Sequence, residues 1–146
     1  MAEINVTIDN IKISNGTYLT FEQSQKNPDI TFKYLPEEYY TIAVVDPDAP
    51  SRDNPIHRYW LHLLIINNND KLISYQKPSP PSGSGNHRYI FYLLKQSYLI
   101  DIDDVNLKNS ETPEFEPFVR QKFNLPKFIS NNDLEIVDSV YFETSR

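Results

Sequence analysis

From Tyr39 to Leu94 the chain alternates segments suited only to buried strands with segments in which proline forbids both strand and helix. Tyr39-Tyr40-Thr41-Ile42-Ala43-Val44-Val45 is β-branched or aromatic nearly throughout, so it reads as a strand covered on both faces, and it ends abruptly at Asp46-Pro47. Trp60 to Ile66 is a second such strand, interrupted by His62 and ended by the polar turn Asn67-Asn68-Asn69-Asp70. After a brief strand at Leu72 to Tyr75, Pro78-Ser79-Pro80-Pro81-Ser82-Gly83-Ser84-Gly85 cannot continue a helix or a central strand. His87 to Leu94 is the third core strand. The proline loop therefore joins two strands of one core and is stiff rather than a flexible linker. All three histidines, the only tryptophan and six of the eleven prolines fall between Asp46 and Tyr89, so any site belongs there, on rigid loops at the ends of buried strands.

The flanking sequence supplies more strands. Ile4, Val6 and Ile8 alternate with polar residues, Asp29 to Tyr34 is a short strand, and Leu134, Ile136, Val140 and Phe142 line a last one. Asn15-Gly16, between Ile11–Ile13 and Tyr18–Phe21, predicts a hairpin. Thr112-Pro113-Glu114 predicts a helix start, followed by Phe115, Phe118, Val119 and Phe123 at helical spacing and stopped at Leu125-Pro126. Asp101 to Asp104 is an acidic surface segment. Six or more strands with one or two short helices predict a mostly β protein, an antiparallel β-sandwich, and 146 residues make residues 1–146 a single domain.

A net charge of −6 argues against a nucleic-acid binder that relies on a basic surface, though not against a small local anion site. With no cysteine, disulfides, thiolate zinc sites and cysteine nucleophiles are excluded, and a reducing compartment is expected. The start of the chain has no signal-peptide pattern, and no apolar run approaches the roughly 20 residues needed to span a bilayer. These features predict a soluble, cytoplasmic monomer with at most peripheral membrane contact.

Pro47 and Pro50 fix the torsions around Asp46 and Asp48, and the plain structural role of both carboxylates is to accept backbone N–H bonds in an Asx-type turn. The convergence of Asp46, Asp48, His62, His87 and Tyr89 at one end of the sandwich also permits three chemistries. Imidazole, phenol and loop N–H groups could bind a phosphate or carboxylate. Two histidines and an aspartate could hold zinc, although no HxH or HExxH spacing occurs. A carboxylate pair could act as acid and base, but two aspartates in one tight turn cannot flank a substrate. No Ser–His–Asp order emerges, and Ser51 and Ser82 look like turn formers.

Asp46-Pro47-Asp48-Ala49-Pro50-Ser51-Arg52 followed by His57-Arg58-Tyr59-Trp60-Leu61-His62 resembles the first signature of the phosphatidylethanolamine-binding protein family. Pro80-Pro81-Ser82-Gly83-Ser84-Gly85-Asn86-His87-Arg88-Tyr89 resembles the second, and Phe118 to Phe123 is similar to the family's late helix. The resemblance implies Greek-key connections and an anion pocket formed by Asp46, Asp48, Ala49, Pro50, Trp60, His62, Pro80, Pro81, His87 and Tyr89. It implies a phosphate-type anion or phosphoethanolamine head group as ligand, or a mimic such as acetate or a phosphotyrosine-like side chain. It implies no cofactor or metal, and a non-enzymatic module that regulates a kinase or protease. A hydrolase using the same His and Asp residues, metal-assisted or not, is the alternative. It further implies cis peptide bonds at Ala49–Pro50 and Arg58–Tyr59.

The sequence departs from the family pattern in four places. His57 stands where many members carry a rim tyrosine, and Lys77 and Ser79 replace glycines of the proline loop. The leading segment of animal members and the terminal helix that often covers the pocket have no counterpart, which predicts a more open site. Phosphate affinity is expected to rise as pH falls through the histidine range, with one aspartate orienting His62 or His87 and the other accepting from the ligand.

Overall fold

The computed structural model describes residues 2–105 and 120–146, and in these two stretches nine strands form two open sheets. The strands are β1 (Glu3–Ile8), β2 (Ile11–Lys12), β3 (Thr17–Tyr18), β4 (Asp29–Lys33), β5 (Tyr39–Asp46), β6 (Trp60–Ile66), β7 (Asp70–Ile73), β8 (His87–Gln96) and β9 (Leu134–Thr144), with short helices α1 (Phe21–Ser24) and α2 (Leu125–Asn131). A three-stranded sheet ordered β2-β1-β4 packs on a six-stranded sheet ordered β3-β9-β8-β5-β6-β7. The run β8-β5-β6-β7 is a Greek key: β5, β6 and β7 follow one another, and the proline loop returns β8 beside β5.

The doubly apolar strands are explained by two hydrophobic layers. Tyr40, Ile42 and Val44 of β5 meet Ile4, Val6 and Ile8 of β1 between the sheets, together with Phe91, Leu93 and Phe142. Ala43 and Val45 point the other way, into a second layer with Leu61, Leu64, Ile66, Phe123, Leu125 and Phe128. A strand buried on both faces needs apolar residues at successive positions, as β5 has.

Several local expectations are corrected. Asn15-Gly16 turns the chain, with Gly16 at φ +88°, but it joins no hairpin: β2 pairs with β1, whereas β3 crosses to the other sheet and pairs with β9. That β3–β9 pair is parallel, the one exception to an otherwise antiparallel arrangement among the described strands. The two-residue hairpin is at Asp9-Asn10, where both residues have positive φ, as a type I′ turn requires. Beyond Tyr18 the chain forms α1, because Thr20 and Gln23 exchange the reciprocal bonds of a capping box.

Leu125-Pro126 begins a helix instead of stopping one. Asn124 caps α2, and Pro126 sits in its first turn, where its missing N–H costs no helical bond. Phe123 is not helical; it exchanges backbone bonds with Tyr59 at 2.8 and 3.3 Å. The expected helix start and Phe115, Phe118 and Val119 lie outside the described residues. Both peptide bonds expected to be cis, Ala49–Pro50 and Arg58–Tyr59, are cis.

Candidate functional site

Because β5 runs antiparallel to both β6 and β8, its final residue, Asp46, meets the first residues of those strands. The Asp46–Asp48 turn, Trp60, His62 and His87 are thereby gathered at one end of the central sheet. The register steps from Val44↔Leu63 to Val45↔Leu61, so His62 is the extra residue of a β-bulge. A bulge re-aims a side chain, and here it leaves His62 in the wall of a cavity of about 330 Å³.

Asp46, Ala49, Pro50, Trp60, His62, Pro80, Pro81, His87 and Tyr89 line this cavity, joined by His57, Gln76 and Ser79. Asp48 does not. Its fully buried carboxylate turns away and accepts from the Arg88 backbone N–H at 2.9 Å and from the Arg88 guanidinium at 2.8 and 3.0 Å. Arg52 approaches to 3.6 Å and Arg58 to 4.0 Å. Burial is the largest influence on this carboxyl and acts upward, but the Arg88 hydrogen bonds and the charges of Arg88 and Arg52 together hold it below the usual carboxylate range. Of the ten residues expected at the pocket, Asp48 is thus the one placed outside the cavity wall, with its carboxylate committed to Arg88.

Asp46 serves both of the roles weighed from sequence. Its Oδ1 accepts the Asp48 backbone N–H at 2.7 Å, an Asx turn, and its Oδ2 accepts from His87 Nδ1 at 2.7 Å. His87 Nε2 lies 2.8 Å from Ser84 Oγ, so both nitrogens of this imidazole are occupied by the protein. The arrangement Ser84–His87–Asp46 is a Ser–His–Asp sequence of contacts that the primary structure did not suggest. The one proton of the Ser84 hydroxyl is directed to the Pro81 carbonyl at 2.6 Å, and Ser84 is not in the cavity wall. The serine hydroxyl is thus held on a carbonyl, away from the concave surface that would hold a substrate.

His62 differs. Its Nδ1 lies 2.6 Å from the Gln76 carbonyl, which can only accept, so Nδ1 carries the proton and Nε2 presents a lone pair. Burial, with Arg120 and His87 nearby, holds its pKa at about 4 against the upward pull of the Gln76 carbonyl and Asp46. His62 stays neutral across the pH range in which histidine ordinarily titrates. An imidazolium is therefore not the form that His62 presents to the cavity over that range.

Three other polar groups complete the wall. Tyr89 is 2% exposed, stacks on Phe142 and meets His62 edge-on at 5.1 Å between ring centres. Burial, then Asp46, pushes its hydroxyl strongly up, so it remains a donor. Trp60 Nε1 donates to Gln76 Oε1 at 2.6 Å, which fixes the Gln76 amide and leaves its NH₂ on the other side. Gln121 Nε2 donates to His57 Nδ1 at 2.9 Å, so the proton of neutral His57 is on Nε2. Tyr89 Oη, His62 Nε2 and Gln76 Nε2 have no hydrogen-bond partner among the described residues. The one inaccessible side-chain polar atom without a partner there is Thr144 Oγ1, so the Tyr89 and His62 atoms open into the cavity that both residues line. Nothing in the sequence marks Gln76, an isolated residue after a short strand; its place follows from its backbone N–H donating to the His62 carbonyl at 2.8 Å.

No trio of His, Asp or Glu side chains able to hold a metal ion occurs among the described residues. None of the described helices is long and apolar enough to cross a membrane.

Fold and site together define a class: a two-sheet β-sandwich whose polar cavity lies where the central Greek-key strands meet. The family model for phosphatidylethanolamine-binding protein matches residues 7–70 and 66–135. The chain is 49% identical over 146 residues to a phosphatidylethanolamine-binding protein homolog of Acanthamoeba polyphaga mimivirus, covering 99% of this chain and 98% of the relative. It belongs to the phosphatidylethanolamine-binding protein family. Among solved structures, the phosphatidylethanolamine-binding protein from Plasmodium vivax superposes with a TM-score of 0.75 at 24% identity, over 100% of this chain and 86% of that one. A carboxypeptidase Y inhibitor complexed with its cognate proteinase gives a TM-score of 0.75 at 23% identity, over 99% and 83%.

Proposed function

We propose that the cavity binds a small phosphoryl-type oxyanion, of the kind a phosphoethanolamine head group carries, and that the protein is a non-enzymatic module regulating a protein partner of the kinase or protease class. The observation that carries this reading is the Tyr89 hydroxyl, a donor on a buried side chain with no partner among the described residues, opening into a cavity of about 330 Å³. That volume is at the small end for ligand sites and suits a head group rather than an acyl chain. Gln76 and His57 add donors to the same wall. The Asp46 charge is offset by two accepted hydrogen bonds, so the site is less hostile to an anion than its composition suggests. Regulation of a protein is favoured by the likeness to an inhibitor solved with its proteinase.

Calorimetric titration with phosphorylethanolamine, with phosphate release followed in the same samples, tests the reading. Binding without turnover is expected, and Tyr89→Phe should weaken it by about 1.5–3 kcal/mol while leaving the melting temperature nearly unchanged, because the hydroxyl holds nothing in the free protein. Unchanged affinity in the variant would overturn the assignment of the cavity, and steady phosphate release would favour the hydrolase reading.

A further inference from the structure

The polar wall of the cavity is not uniformly donating. Tyr89 Oη, Gln76 Nε2 and His57 Nε2 offer protons, but His62 Nε2 offers a lone pair. The polarity of His62 is set by backbone geometry: the Gln76 carbonyl at 2.6 Å claims the ring's proton on Nδ1. The charged and titratable groups facing the ring are Asp46 from β5, His87 and Tyr89 from β8, and Arg120, whose guanidinium binds the Leu61, His62 and Ser74 carbonyls behind it. Of these, Arg120 and His87 oppose a second proton on His62 and Asp46 favours one; burial decides against it.

The three donors and His62 Nε2 belong to residues that line one small cavity, so an oxyanion seated on the donors has an oxygen left to face the His62 lone pair. A fully ionised phosphate monoester would set lone pair against lone pair there. A phosphodiester has the same difficulty at every pH, since it carries no P–OH. A singly protonated monoester has one P–OH to donate to Nε2 and two further oxygens, sharing one negative charge, to accept from Tyr89, Gln76 and His57. Resting on the phosphoryl reading above, we infer that the site selects the singly protonated form of a phosphate monoester over phosphodiesters, with His62 as the residue that sets the specificity.

Methyl phosphate and dimethyl phosphate are the simplest matched pair, and phosphorylethanolamine and glycerophosphorylethanolamine repeat the comparison on an ethanolamine head group. Titrating all four at pH 5.5 and pH 7.5 separates proton donation by the ligand from titration of the protein, which acts on both members of a pair alike. At pH 5.5 each monoester should bind about tenfold or more tighter than its diester, the size of a hydrogen bond involving a charged group. The monoester affinity, relative to the diester, should fall roughly 20-fold by pH 7.5, because the second phosphate pKa is about 6. His62→Gln, whose amide can donate, should bring each pair within about threefold and remove the pH dependence of their ratio. Diesters binding as tightly as monoesters in the unaltered protein, or a monoester-to-diester ratio that does not change with pH, would overturn the inference while leaving phosphoryl binding in place. Failure of all four ligands to bind would overturn both.

Discussion

Two of the three imidazoles in the cavity wall are alike in burial, His62 at 4% and His87 at 1% exposed, and opposite in what they leave free. His87 is held between Asp46 and Ser84 and has no nitrogen to spare. His62 is held on one side only, and its second nitrogen opens into the cavity. Residue type and burial therefore do not decide which histidine meets a ligand. Neighbouring oxygens do: a carboxylate and a hydroxyl close one ring, and a single carbonyl fixes the other without closing it.

The largest expected effect tests whether His62 is buried neutral. Its pKa of about 4 lies below the unfolded value of 6.5. As pH falls between these values the unfolded chain takes up a proton that the folded chain does not, so stability is complete above 6.5 and declines toward 4. The loss should reach roughly 3 kcal/mol, and denaturant melts of His62→Gln should lack it. An identical pH slope in that variant would remove the distinction between the two rings.

Asp46→Asn probes the closed side. The amide oxygen can still accept the Asp48 N–H, but the charge-assisted bond to His87 is lost, for an expected cost of about 1–2 kcal/mol. Affinity for phosphorylethanolamine should change with it, since His87 is packed against Tyr89. A variant that melts early yet binds normally would show the closed wall to be purely structural.

The smallest effect should run in the stabilising direction. Thr144, opposite His87 on β9, buries a hydroxyl with no partner among the described residues. Thr144→Val keeps the shape and removes that polar group, and should raise stability by about 1 kcal/mol. A drop in the melting temperature would mean that the hydroxyl helps hold the closed wall.

The central strands were legible because β5, β6 and β8 are apolar at successive positions and bounded by proline or asparagine, a pattern few other structures accept. The cavity's place was legible because those boundaries carry the histidines and Trp60. Asp48 was not: within one turn, two aspartates two residues apart diverge because Arg88 claims one of them, and that contact spans 40 positions. The bulge that frees His62 is a mismatch of register between two strands, invisible in either strand alone. Asn15-Gly16 and Leu125-Pro126 carried true local signals, a turn and a proline torsion, and what they joined was decided by distant partners.

The first strand finds its support very late in the chain. The backbone N–H of Ile4 donates to the Asp138 carboxylate, 134 residues downstream, and β3 pairs with Phe142 and Glu143. On a ribosome, β1, β2 and β4 emerge first and can pair with one another, but the apolar side of that small sheet is covered only in part by β5 and must wait for β8 and β9 before the cover is complete. Closing contacts of such span is slow compared with forming local ones. While synthesis proceeds, the nascent chain carries an incompletely covered sheet, and its dependence on chaperones should be concentrated in that interval.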